Sequence, residues 1–525
     1  MNNLLFDQIK NKFQTGDFAS AEKLCFKLYQ TQDKNINVVK NLALACMLQK
    51  KYFEAVHFYH EALNLDKLDF DVNSNLAYLL SQTEDYQKAL QYAQEAQNID
   101  PENPIPQKIM GEIYLNLRKF DDAADLLKQS IQLSKSRGDA HQVFLNELNH
   151  RYMQALSALN KEDDLKKFVQ EAQKNQLNPD VFSYQVKSFG KETDTQIVDS
   201  VKIELSNLLN NQNEGNLKLS AGYSFGLANY YLITGETNLA EEYFIKGNSL
   251  VDLTQNYRPL ETQNFIKKVI QSYKELPELN IDHGLGKNLI FIVGMPRSGT
   301  TLLESIIANS PGVHAGGEMS SFKNLIQYDV STIGKNDPDK ITKSINEYLN
   351  KMNFIKSENE KIIDKLPFNV FLIGFIVKLL PSAKIILIDR DPWDIATSLF
   401  QQFYIGKHYY STKFFNIAMQ IANYSFIKKY WLNLDIDHKN IYEIQYENLV
   451  GDSEKYSKEI YDHLGIDHSL NLENRKQFYS STASFSQVRG DISSKSIKKE
   501  LFNDYKKQFF DDLKDQYQYW DNFNL

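Results

Sequence analysis

A step of 34 residues runs through the first quarter of the chain. Ala21, Ala55, Ala89 and Ala123 fall on it, as do Ala43, Ala77 and Gly111, and the aromatics Phe18, Tyr52, Tyr86 and Phe120. A fourth column, Ala62, Ala96 and Ser130, keeps the same step. Fixed self-similarity of this length marks stacked supersecondary units, none of which buries its apolar face alone. Small residues at two points of each unit let two antiparallel helices approach closely, and the aromatic near the turn fills the space between successive units. The segment is therefore an array of helix pairs.

The units resemble tetratricopeptide repeats, with Pro101 where that family often closes a unit. The period is lost after about residue 135, where SKSRGDAH reads as an insertion. A further unit, FGLANYYLITGETNLAEEYFIKGNSL, repeats the spacing of Ala43, Ala55 and Ala62 in Ala228, Ala240 and Gly247. Helical repeats are thus expected over 1–275. The residues that define them are packing residues, which leaves two roles open: a solenoid that only extends the chain, or one that holds a protein acceptor or mediates a homodimer.

At 525 residues the chain calls for more than one domain. Residues 1–288 carry 31 Lys+Arg against 38 Asp+Glu, and 289–525 carry the remaining 28 of 59 against 29 of 67. The acidic surplus lies in the first part, and no broadly basic surface for nucleic acid is indicated. Two cysteines, Cys25 and Cys46, both within helical patterns, argue against a disulfide framework or a cysteine metal site. MNNLLFDQIKNKF lacks the apolar core of a signal peptide, and no run of about 18 apolar residues is present, so a cytoplasmic location without a membrane span is the expectation.

Past a short linker, 276–288, the pattern changes. Residues 288–293, NLIFIV, read as a buried strand, followed by GMPRSGTT and a helix starting near Thr300. Strand, glycine loop and helix form the setting of a phosphate loop, in which backbone N–H groups and a helix N-terminus close around an anion. A nucleoside triphosphatase needs a lysine after the second glycine and an acid for Mg²⁺. Here Thr300 follows Gly299, and the cation is Arg297 inside the loop. That suits one fixed phosphate or sulfate group and requires no metal. Residues 384–389, KIILID, form a second apolar strand running into RDPWD and a helix with Ser398, where Arg390 and Ser398 are suited to a second phosphate.

PRSGTT followed by RDPxDxxxS resembles the paired nucleotide motifs of sulfotransferases that use 3′-phosphoadenosine 5′-phosphosulfate (PAPS). With the repeats, the chain is similar to tetratricopeptide-repeat sulfotransferases and, more distantly, to tyrosylprotein sulfotransferases. The resemblance implies a C-terminal α/β domain, 289–525, with a P-loop-like motif on a parallel sheet, beside the N-terminal all-α solenoid. It implies that Arg297, Ser298, Gly299, Thr300 and Thr301 grip the 5′-phosphosulfate, and Arg390 and Ser398 the 3′-phosphate. Glu318, in a Gly316-Gly317-Glu318 context, takes the place of the general base, with His314 as a competitor. Lys365, in a Lys-x-Pro segment, matches the lysine that stabilises the transferring group and the leaving oxygen. Tyr446 matches a tyrosine that contacts the cofactor base. Ser484 matches a transition-state serine, and Arg489 and Lys499 match basic residues over the 3′-phosphate. Two departures concern the 3′-phosphate contacts: Gln402 replaces an arginine, and Gly490-Asp491 stands where a proline belongs.

The expected function is sulfuryl transfer from PAPS to an acceptor hydroxyl, protein tyrosine first, with carbohydrate and small-molecule acceptors open. A nucleotide kinase and a repeat scaffold with an inactive transferase half are the readings from other classes. The aromatic stretch 401–415 reads as an acceptor-side lid or, more commonly, as part of a helix face on the core.

Overall fold

The computed structural model describes residues 2–31, 35–137, 142–175, 178–211, 213–255, 257–326, 337–355, 360–404, 408–434, 438–468 and 501–523. Ser484, Arg489, Lys499 and the Gly490-Asp491 departure lie outside the described residues. The chain divides into two compact units, 1–155 and 156–525.

In the first unit the 34-residue step becomes antiparallel helix pairs: Asn2–Gln14 with Phe18–Thr31, Ile36–Leu48 with Tyr52–Leu65, Phe70–Gln82 with Tyr86–Ile99, and Pro104–Asn116 with Phe120–Arg137. All eight alanines of the repeat columns are 0% exposed. At Gly111 a Cβ would lie 2.8 Å from Leu127 Cγ, so this position demands glycine for close helix approach. The step also governs the helix ends. Asn35, Asp69 and Asn103 cap the first helix of three successive pairs by accepting from Asn37, Val72 and Ile105 N–H groups. The turn inside each pair passes through a left-handed residue, Gly16, Lys50, Glu84 and Arg118, at φ 72°, 61°, 60° and 61°. Cys25 and Cys46 are buried core residues, and burial pushes their thiols up to about 12 and about 11.

The second unit begins with helices and ends in an α/β layer. Glu214–Thr234 and Thr237–Thr254 form a close pair whose turn passes through Gly235 at φ 94°. Ala228 and Ala240 are fully buried, and a Cβ at Gly247 would meet the Phe225 ring at 2.8 Å. The helices of this unit pack on the sheet domain: Phe244 meets Phe502, Phe265 meets Phe368, and Tyr273 meets both Phe375 and Trp431. Composition changes near 276–288, but the contact boundary falls at 155/156, because the helices before that linker share a core with the sheet domain.

Five parallel strands form the sheet: β1 Leu289–Gly294, β2 Val313–Ala315, β3 Lys361–Asp364, β4 Lys384–Asp389 and β5 Ile441–Gln445, in the order β2-β3-β1-β4-β5. β1 is buried along its whole length, as a central strand covered on both faces must be. From β1 the chain crosses towards β2 and from β4 towards β5, on opposite sides, so the topological switch lies between the carboxyl ends of β1 and β4. Such a crevice is where open α/β sheets bind ligands. The aromatics after 401 mostly enter the core: Tyr410, Phe414 and Tyr424 are buried, Trp431 is 0% exposed, and its indole N–H donates to Phe371 O at 3.1 Å. Among the described residues no helix is long and apolar enough to cross a membrane.

Candidate active site

The loop after β1 is shaped by sterics before chemistry. Gly294 pairs in register with Ile388, and a Cβ there would sit 2.4 Å from Ile388 O. Arg297 holds φ 72°, a conformation that costs a non-glycine residue about 1–2 kcal/mol. Gly299, at φ 104°, precedes the helix Thr300–Ile307, and a Cβ on it would lie 2.4 Å from Tyr446 Cδ2. Successive turns of this kind bring backbone N–H groups round to one point. Ser298, Thr300 and Thr301 are buried there, and Ser298 Oγ has no hydrogen-bond partner among the described residues. A buried hydroxyl without a partner is costly unless a ligand satisfies it.

β4 delivers the second motif to the same crevice. Asp391 caps the helix Pro392–Phe400, accepting from the N–H groups of Trp393 and Asp394 at 2.9 and 3.0 Å, with Pro392 at its first position. This turn sets Asp394 against Arg390, at 3.2 Å. Arg390 also donates to Arg297 O at 3.2 Å and stacks over the Tyr446 ring at 4.4 Å. Ser398, about two turns on, accepts from Arg297 Nε at 2.9 Å. The two motifs, expected to hold separate ends of a nucleotide, touch directly. Burial presses the Arg297 guanidinium below its ordinary range; Tyr404 counters this, and nearby Arg390 adds to it. Burial raises the Asp394 carboxyl, against the pull of Arg390. Two guanidiniums held together out of water, one of them paired with Asp394, are suited to an anion.

The third part lies at the end of β3. The Gly-Gly turn after β2 is fastened to it: Gly316 N–H donates to Ile363 O at 2.8 Å, and Lys365 N–H donates to Gly317 O at 2.9 Å. A Cβ at Gly316 would sit 2.5 Å from Ile363 O. Glu318 therefore emerges beside Lys365, whose Nζ donates to Glu318 Oε1 at 2.8 Å. Lys365 is 0% exposed, whereas the Glu318 side chain is 39% exposed. His314, the competing base, lies on the edge strand β2 and pairs with Glu360, just before β3, at 2.7 Å.

Sequence reading missed Glu304 and the relation of two aromatics, Tyr404 and Tyr424, to Glu318. Glu304, fully buried on the helix after the loop, accepts from Gly317 N–H at 3.2 Å and lies 3.9 Å from Lys365 Nζ. Its signal was a lone acid inside the apolar run TTLLESII. Tyr404 and Tyr424 interact electrostatically with Glu318, and burial raises both phenols. The segment carrying Tyr404 is fastened by the preceding helices. Asn248 Nδ2 donates to Phe400 O at 2.7 Å, Gln255 Nε2 donates to Tyr404 O at 3.2 Å, and Thr412 donates to Asp252 at 3.0 Å.

Residues 289–469 match the model of the Sulfotransferase family. The chain carries a sulfotransferase-family domain. Residues 1–187 match the model described as ChAPs (Chs5p-Arf1p-binding proteins). An uncharacterized protein of Aquifex aeolicus (strain VF5) is 30% identical over 416 residues, 74% of this chain and 52% of that protein. The chain thus spans about half the length of this curated relative. Among solved structures, the sulfotransferase domain of the Synechococcus PCC 7002 olefin synthase is 18% identical, covering 47% of this chain and 100% of its own, with a TM-score of 0.31. Mouse sulfotransferase SULT7A1 complexed with PAP is 18% identical, covering 48% and 90%, with a TM-score of 0.29. Pseudomonas aeruginosa pilF is 16% identical, covering 45% and 96%, with a TM-score of 0.34.

Proposed function

We propose that the sulfotransferase domain moves a sulfuryl group from PAPS to an acceptor hydroxyl. The observation that carries this reading is the meeting of Arg297 with Ser398 and Arg390 at the β1/β4 crevice, in the same domain as the Glu318–Lys365 pair. Bound PAPS supplies an electrophilic sulfur and a phosphate leaving group. The buried hydroxyl of Ser298 and the tight turn that Gly294 and Gly299 allow fit a phosphate-like group at the loop. Thr300 and Thr301 extend that grip, Arg390 and Ser398 take the 3′-phosphate, and Tyr446 flanks the base. Ser484, Arg489 and Lys499 remain in this proposal on the sequence resemblance.

Glu318 removes the proton of the acceptor hydroxyl as its oxygen bonds to sulfur. Lys365 neutralises charge on the transferring group and on the departing phosphate oxygen. In the ligand-free pair Lys365 Nζ is taken up by Glu318, and a bound polyanion competes for it. Acceptor classes are protein tyrosine first, then carbohydrate or a small hydroxyl compound; the repeats favour a protein partner.

Calorimetric titration with adenosine 3′,5′-bisphosphate tests the donor site. Arg390→Ala should weaken binding by about 10- to 100-fold, the loss of a charge-assisted grip. Glu318→Ala should leave it within about threefold, because that loss is too small for a removed phosphate contact. Equal affinity in wild type and Arg390→Ala, or preferential binding of ATP with Mg²⁺, contradicts the assignment.

A further inference from the structure

The helix Thr300–Ile307 has one ionisable side chain, Glu304, and it is 0% exposed. A carboxylate out of water costs several kcal/mol unless it is paired and hydrogen-bonded, so its neighbours matter. Glu304 Oε1 accepts from Gly317 N–H at 3.2 Å, and Oε2 lies 3.9 Å from Lys365 Nζ. Lys365, also fully buried, donates to Glu318 Oε1 at 2.8 Å, and its backbone N–H holds Gly317 O at 2.9 Å. One lysine thus faces two carboxylates brought by three elements: the helix after the phosphate loop, the Gly-Gly turn and the end of β3.

The charge balance has a consequence. A lysine bound to Glu318 alone would stabilise the ionised carboxylate and make it a feeble base. A second, fixed carboxylate draws on the same cation and restores proton affinity to Glu318. We infer that Glu304 is a positioning residue of the transfer site, holding Lys365 between two carboxylates and anchoring the turn that presents Glu318. This rests on the reading of Glu318 as the base. Among the described residues, the groups acting on Glu318 include the phenols Tyr404, from the segment after the helix Pro392–Phe400, and Tyr424, from the helix Phe414–Asn433. Arg297 interacts with Tyr404, and the His408 ring lies 4.7 Å from it. Burial raises both phenols, so they stay neutral through the neutral range, and His408 is common to every variant below.

The test is the pH profile of kcat for the full chain. Glu304→Gln keeps the shape and an acceptor for Gly317 N–H but removes the charge. Its acid limb should move to lower pH by roughly half a unit to one unit, as expected for a lost charge a few ångströms away. Its plateau should fall about three- to tenfold as the base weakens, with affinity for adenosine 3′,5′-bisphosphate unchanged. An acid limb that stays in place or moves up, in a wild type that transfers sulfuryl, overturns the inference. A wild type with no transfer sinks the functional reading instead, and a second measurement then decides on Glu304. In urea, Lys365→Met should unfold at a lower concentration than Lys365→Met/Glu304→Gln, because the single change strands a buried charge. A double variant no more stable than the single one overturns the role of Glu304.

Discussion

Gly299 bears a steric demand as tight as that of Gly294 in the phosphate loop, since both its φ of 104° and the Tyr446 ring, 2.4 Å from where a Cβ would sit, exclude any side chain. Gly299→Ala should therefore lower stability by about 1–3 kcal/mol and weaken adenosine 3′,5′-bisphosphate binding by about tenfold or more. Urea unfolding and calorimetry check the two effects, and an alanine variant with wild-type binding would show that the loop tolerates a shifted Tyr446. At this scale the sequence was informative where a motif fixes backbone and side chain together. Arg297, Ser298, Thr300, Thr301, Arg390, Ser398 and Tyr446 meet in one crevice, and Glu318 meets Lys365. Glu304 escaped because its meaning depends on a partner 61 positions away, just past β3, and spacing along a helix carries no such information. Asp394 was visible as a letter of the second motif, yet its hold on Arg390 comes from the helix turn that Asp391 and Pro392 initiate.

Between residues and domains, the 34-residue step predicted helix pairs because small and aromatic residues announce where helices touch. It did not announce the left-handed turn residue, because only Gly16 among Gly16, Lys50, Glu84 and Arg118 has the expected identity. After the helix Ile36–Leu48, Lys50 N–H donates to Met47 O and Lys51 N–H to Cys46 O, both at 2.9 Å, a C-terminal closure that favours glycine at the left-handed position. Lys50→Gly should consequently raise stability by about 0.5–1 kcal/mol, the relief of αL strain less the added chain entropy. A shift of the denaturant midpoint to higher concentration checks this; a drop would mean that the lysine side chain contributes more than its backbone conformation costs. The strands β1 and β4 were legible for a different reason. Both are short, continuous apolar runs between turn signals, as central parallel strands are.

At the scale of the molecule, length and the change of pattern near 276–288 announced two architectures but not which helices belong to which core. Asn248, Gln255 and Asp252, from helices before the linker, fasten the segment around Tyr404, and Phe244 packs on Phe502. Residues 159–525 should therefore fold as a cooperative unit, whereas 276–525 should express as an aggregating fragment that exposes Phe368, Phe375, Trp431 and Phe502. Circular dichroism melts and size-exclusion profiles of the two fragments check this, and a stable, monodisperse 276–525 would move the boundary to the linker. The central claim is transfer itself. Full-length protein incubated with PAPS carrying a labelled sulfuryl group and a set of tyrosine-containing peptides, oligosaccharides and phenols should label one acceptor class at its hydroxyl. Glu318→Gln should lower that rate by about 100-fold or more while adenosine 3′,5′-bisphosphate binding persists. Wild-type protein that binds the nucleotide but labels no acceptor, or a Glu318→Gln variant that transfers at the wild-type rate, would contradict the account.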